Sequence, residues 1–160
     1  MRRGMVMFAA GALGIIALVG CSSSSKTATT SGGGGGGVTV PAASGTPVAV
    51  TAGDKSDTVQ FLTPVPVSVK AGPTTFTLTN TSTTKKHEMV VLKTDAPFDS
   101  LTVGADNKVS EATTVGEVGE LEVGKTGTVT LDLKPGTYVL VCNLEKHYAQ
   151  GMRAAFTVTG

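Results

Sequence analysis

The chain of 160 residues has no tryptophan, only two cysteines and two histidines, and an aromatic content of 4%. Two cysteines cannot staple a small fold in the way a disulfide scaffold requires. Two histidines cannot furnish a site that needs many imidazoles. Charge of one sign is also missing: Lys+Arg 13 against Asp+Glu 12 leaves +1. Without a basic stripe, nucleic acid is a poor partner. Isoleucine occurs only at Ile15 and Ile16, inside the one long apolar run. What is plentiful is threonine (25) and valine (21), with 21 glycines and 7 prolines. β-branched side chains suit a pleated strand better than a helix, so this composition points to short strands joined by turns. The length fits one ordinary domain with appendages and not two full cores.

The first residues read as an address. Met1-Arg2-Arg3 is a basic start, and Gly4 to Val19 is an apolar run shorter than the roughly 20 residues a spanning helix needs. Leu18-Val19-Gly20-Cys21 resembles a bacterial lipobox, in which the cysteine is lipidated and becomes the new N-terminus. An ordinary signal peptide or an uncleaved anchor, with Cys21 incidental, is the alternative. Residues 1–20 are thus expected to be a lipoprotein signal peptide. Residues 21–45 are expected to be a lipidated Cys21 followed by a Ser/Thr/Gly tether, with six consecutive glycines at Gly32–Gly37. No Gly-Lys-Ser/Thr follows those glycines, which excludes a phosphate loop. A flexible tether of this length spans roughly 25 Å. The expected location is outside the cytoplasm, on a bacterial membrane surface, with residues 46–160 as the folded domain.

Within that domain the pattern is strand after strand. Val65–Val69 alternates, and Ala71-Gly72-Pro73 turns the chain. Phe76 and Leu78 share one face of Thr74–Thr79, Met89–Leu92 is apolar on both faces, and Val129, Leu131 and Leu133 alternate with Thr128, Thr130 and Asp132. Tyr138–Cys142 and Ala155–Thr159 complete the series, while Ser110–Gly119 has no clear period and reads as loop. The expectation is an all-β antiparallel sandwich of about seven or eight strands. Asn80-Thr81-Ser82 has the glycosylation pattern but reads as a turn, and the side chains of Glu88, Glu145 and Lys146 read as solvated charges.

The rarest residues are grouped. Cys142-x₄-His147-x₄-Met152 lies in a loop between the last two strands, and Cys142 is the one thiol left once Cys21 is acylated. A loop can wrap an ion, whereas a regular strand points successive side chains to opposite faces. His87, the other histidine, opens the Met89–Leu92 strand and can reach the same end. Met89 reads as core. Two imidazoles, a thiolate and a weak thioether are the donors of a trigonal copper site with a long axial bond. Zinc prefers closed tetrahedral N/S ligation and gains little from a thioether. Taken singly, Cys142 could be an inert buried thiol, His87 a surface histidine and Met152 a core methionine.

Together these residues resemble the cupredoxins, the small blue copper proteins that include plastocyanin and azurin. Val67-Ser68-Val69-Lys70-Ala71-Gly72-Pro73, Phe76-Thr77-Leu78-Thr79-Asn80 and His87 are similar to the family's first-histidine half. Leu133 through Cys142, with His147, Gly151 and Met152, is similar to the second, and the loop spacing is most similar to that of rusticyanin and sulfocyanin. The resemblance implies a Greek-key sandwich and one type 1 copper ion on His87, Cys142, His147 and Met152. It also implies electron carriage rather than enzymatic turnover, and a backbone N–H near Glu88 bonded to the sulfur. Glu88 and Asn143 are the expected outer neighbours of the ligands. Many relatives have Pro-Gly before the second histidine, where this chain has Glu145-Lys146. Expected partners are redox proteins and, through the lipid, a membrane; a monomer is expected. Copper trafficking or storage is the alternative function, disfavoured because no His-rich or Met-rich tract accompanies the site. A metal-free adhesive sandwich is the third. Two histidines exclude a multinuclear oxidase, and Asn143 and Leu144 cannot supply the second cysteine of a dinuclear centre.

Overall fold

A computed structural model describes residues 45–160. The signal peptide over 1–20, lipidation at Cys21 and all but the last residue of the tether lie outside the described residues. Nine strands occur among the described residues: β1 (Thr46–Ser56), β2 (Val59–Val65), β3 (Ser68–Lys70), β4 (Gly72–Asn80), β5 (His87–Lys93), β6 (Thr114–Leu121), β7 (Thr126–Leu133), β8 (Gly136–Val141) and β9 (Arg153–Thr159). They form two sheets, ordered β2-β1-β4-β7 and β3-β9-β8-β5-β6. Consecutive strands repeatedly change sheet, which makes this an all-β Greek-key sandwich. Pairing is antiparallel except for β1 with β4 and β3 with β9.

Alternation decides which side of each strand is buried. Phe76 and Leu78 of β4, Val48 and Val50 of β1, Leu140 of β8 and Phe156 of β9 meet in the core between the sheets. Phe76 and Phe156 meet edge to face, with ring centroids 5.2 Å apart, a geometry that adds about 0.5–1.5 kcal/mol beyond area burial. The double-sided apolar pattern of β5 has a concrete cause. Met89 and Val91 face the core, whereas Val90 and Leu92 join Val109, Val139, Val141 and Tyr148 in a second cluster on the outer face. The segment over 94–113 covers that face. Leu101 packs against the cluster, and the Tyr148 hydroxyl accepts the Leu101 N–H and donates to the Phe98 carbonyl.

Two expectations need correction. The strand expected over Val65–Val69 is broken, because Pro66 has no N–H for a ladder. Val65 ends β2 in one sheet and Ser68 begins β3 in the other. Part of the segment expected to be loop over Ser110–Gly119 is β6, paired antiparallel with β5. It is an edge strand on which Val118 is the one buried residue and Val115 is 41% exposed, so it carries no two-residue hydrophobic period. Together with β1 and β2, these changes raise the strand count above the expected seven or eight.

Candidate metal centre

The site lies at one end of the sandwich because β5 and β8 are antiparallel neighbours. Val90 pairs with Val141, so the start of β5 and the end of β8 coincide, bringing His87 beside Cys142. The β8–β9 connection then folds tightly back. The Leu144 carbonyl accepts the His147 N–H (3.0 Å), the His147 carbonyl accepts the Met152 N–H (3.0 Å), and the Met152 carbonyl accepts the Cys142 N–H (3.1 Å). These bonds hold the two ends of the Cys142–Met152 loop together.

Within this frame Nδ1 of His147 stands 3.3 Å from Sγ of Cys142 and 3.3 Å from Nδ1 of His87. One donor atom from each of these three residues lies within 4.8 Å of the others. Donors arranged in a plane at bond lengths of about 2.0–2.3 Å lie about 3.5–4.0 Å apart, so small adjustments bring this triangle round a single ion. Among the described residues it is the one such group of His, Cys, Asp or Glu. Cys142, His87 and Met152 are fully buried; His147 is partly exposed. Met152 belongs to the same core cluster as Cys142 and Met89. The donor set fits copper: one soft thiolate and two imidazoles, with a thioether at the end of the same loop.

Burial disfavours the charged form of each of the three donors when no metal is bound. Burial pushes the Cys142 thiol up to about 12, partly offset by the N–H groups of Glu88 and Leu144. Burial, and then the neighbouring His87, pull His147 down to about 4. His87 is also lowered, chiefly by burial and against the opposing pull of Asp54. Both imidazoles are therefore neutral near pH 7 and offer lone pairs.

The Glu88 N–H donates to Sγ of Cys142 at 3.4 Å. Its side chain is not simply solvated, as the sequence suggests. It is partly buried, Oε1 accepts the Asn143 N–H at 3.1 Å, and desolvation raises its pKa. Asn143 is buried; its Oδ1 accepts the Val109 N–H, and its Nδ2 donates to the Val109 carbonyl and to Glu111. It thus pins the segment over 94–113 to the metal loop. Glu145 and Lys146 are exposed and pair at 3.1 Å, as solvated charges do. Lys146 has φ 71°, the left-handed region that glycine occupies without strain. Its N–H donates to the Asn107 carbonyl (3.0 Å), and the Gln150 N–H donates to its carbonyl (2.9 Å), so one tertiary and one local bond fix the loop where Pro-Gly is missing.

Sequence reasoning misses Asp54 on β1, whose Oδ1 lies 3.4 Å from Nε2 of His87, because no spacing links that strand to the start of β5. It misses Gln60 as well, which clamps the loop to β2. The Gln60 N–H donates to the Gln150 carbonyl (2.9 Å), and the two side-chain amides are bonded at 2.7 Å. Asn80 is buried and donates to the Lys85 and Leu121 carbonyls, so the Asn-Thr-Ser triplet is a structural turn.

A family model described as copper binding proteins, plastocyanin/azurin family, matches residues 48–159. Comparison with curated proteins gives no match. Among solved structures, the chain is similar to dithionite-reduced auracyanin from the photosynthetic bacterium Roseiflexus castenholzii. The two are 27% identical over 74% of this chain and 100% of that one, with a TM-score of 0.52. It is also similar to auracyanin B (20% identity, 72% and 89% coverage, TM-score 0.55). Rusticyanin from Thiobacillus ferrooxidans is 21% identical, with 72% and 79% coverage and a TM-score of 0.53. The last two likenesses are of fold.

Proposed function

Since the chain belongs to the plastocyanin/azurin family of copper-binding proteins, we propose that it is a type 1 copper protein carrying single electrons between redox partners outside the cytoplasm. The observation that carries this reading is the convergence of one donor atom each from His87, Cys142 and His147. In this reading those three residues would hold the ion, with the Met152 thioether as a further, weaker donor. Copper bound there supplies a one-electron couple, with sulfur donors suited to Cu(I) and imidazoles to Cu(II).

The chain's own groups do the rest. The Glu88 N–H on Sγ holds the sulfur in one place and tempers its donation. The Cys142 thiol, pushed up to about 12, gives up its proton on binding, so copper uptake releases a proton. The Cys142–His147–Met152 hydrogen bonds and the Asn143 contacts fix the donors before binding, which limits rearrangement between oxidation states. His147 is the partly exposed member of the triad while His87 is fully buried. Electrons therefore enter and leave at the His147 edge. Lipidation of Cys21 and the tether after it, read from sequence, would hold this edge near membrane-bound partners.

Electron carriage is tested on the copper-loaded protein by voltammetry and by competition with a copper chelator. A reversible one-electron wave with slow copper loss supports it. Rapid transfer of the metal to the chelator with no reversible wave would instead support copper trafficking. Fatty-acid labelling that persists in the Cys21→Ala variant would contradict the anchor.

A further inference from the structure

His87 is reached from behind by the opposite sheet. Asp54 Oδ1, on β1, lies 3.4 Å from His87 Nε2. Both atoms are buried and neither makes a hydrogen bond, so the 3.4 Å approach joins two polar atoms that have no other hydrogen-bond partner. Lys85 Nζ stands off Oδ1 at 4.0 Å and donates instead to the Asp57 carbonyl at 2.8 Å. The carboxylate is itself held. Its Oδ2 accepts the Ser82 hydroxyl, and Ser82 Oγ accepts the N–H groups of Thr84 (3.1 Å) and Lys85 (2.9 Å). Ser82 N–H in turn donates to Asn80 Oδ1 at 2.9 Å. This turn, which runs directly into His87, aims one carboxylate oxygen at one imidazole nitrogen.

We propose that Asp54 is the positioning residue of His87. Its carboxylate selects the tautomer with the proton on Nε2, leaving the Nδ1 lone pair facing Cys142 and His147, and it strengthens the imidazole as a donor. The inference rests on the copper reading above. A carboxylate behind a ligating histidine fixes ring orientation and raises ligand basicity, and its loss typically costs about 10–100-fold in metal affinity. A more basic imidazole favours Cu(II) over Cu(I), so Asp54 holds the reduction potential down.

The test compares Asp54→Asn and Asp54→Ala with Asp132→Asn, an exposed acid on β7, in the purified full-length protein. In Asp54→Ala, copper affinity should fall about tenfold or more and the midpoint potential should rise. Asp54→Asn keeps an acceptor for Nε2–H and removes the charge. Its affinity should stay nearer wild type while its potential rises, and Asp132→Asn should move neither. Nitrogen-15 NMR of the metal-free protein should show His87 protonated at Nε2 in wild type and a tautomer mixture in Asp54→Ala. If wild type gives the blue band but the Asp54 variants shift the potential no further than Asp132→Asn, this inference falls and the copper reading stands. If wild type takes up no copper, the copper reading falls and the role of Asp54 toward the metal falls with it. A purely structural Asp54 would lower the melting temperature and leave the tautomer unchanged, which overturns the proposal.

Discussion

Replacing Gly151 with alanine measures how closely the metal loop is pressed against β2. Gly151 has φ 110°, and a Cβ there would lie 2.7 Å from the Gln60 carbonyl oxygen, a backbone atom that cannot swing aside. Two costs add. Forcing an L-residue into that conformation costs about 1–3 kcal/mol, and relieving the overlap costs about 1–3 kcal/mol more. The loop can yield only by moving away from β2, which strains the Gln60–Gln150 backbone bond of 2.9 Å and the amide pair at 2.7 Å. Gly72→Ala is the matched control, with φ 128° and nothing within 4 Å of its Cβ. Both variants gain the same unfolded-state benefit of losing a glycine, so their difference isolates the contact. At about 4 °C per kcal/mol for a domain of this size, Gly151→Ala should melt roughly 4–12 °C below Gly72→Ala in calorimetry of the metal-free protein. Equal melting temperatures would refute the close approach.

Further outcomes follow from the same contacts. Met152→Leu should keep copper bound and alter the midpoint potential, because it removes a thioether that would be a weak donor; an unchanged voltammogram contradicts Met152 as a donor. Asn143→Ala leaves the Val109 N–H and carbonyl without their buried partner and should cost about 2–4 kcal/mol by urea denaturation; a loss under about 0.5 kcal/mol would contradict its pinning role. In the metal-free protein His147 is lowered from 6.5 to about 4. The unfolded chain therefore binds more protons between those values, and the stability from this group, complete above about pH 6.5, is lost as pH falls toward 4. Denaturation midpoints at pH 7.5 and 5 check this, and equal values contradict it.

Legibility in the sequence follows the strength of the local signal. β4 and β7 show clean alternation because each has one face on the core and a threonine-rich face outward. β6 is silent because an edge strand needs only one buried side chain, Val118, to dock. Pro66 hides a change of sheet inside what looks like one alternating run. At the site, Cys142, His147 and Met152 are close in sequence, and their loop is closed by local hydrogen bonds. His87 comes into view through the register of a neighbouring strand. Asp54 and Gln60 reach the site across the sandwich, and no one-dimensional pattern marks the contact of β1 with the start of β5 or of β2 with the loop at Gln150, 90 residues on.

The most direct test is to add Cu(II) to the purified protein and to its Cys142→Ser variant and to record visible and EPR spectra. Wild type should take up one equivalent and show an intense thiolate-to-copper absorption with the narrow copper hyperfine splitting of a type 1 site, both absent from the variant. No stoichiometric uptake, or an intense blue band that survives Cys142→Ser, would contradict a copper centre built on this cysteine.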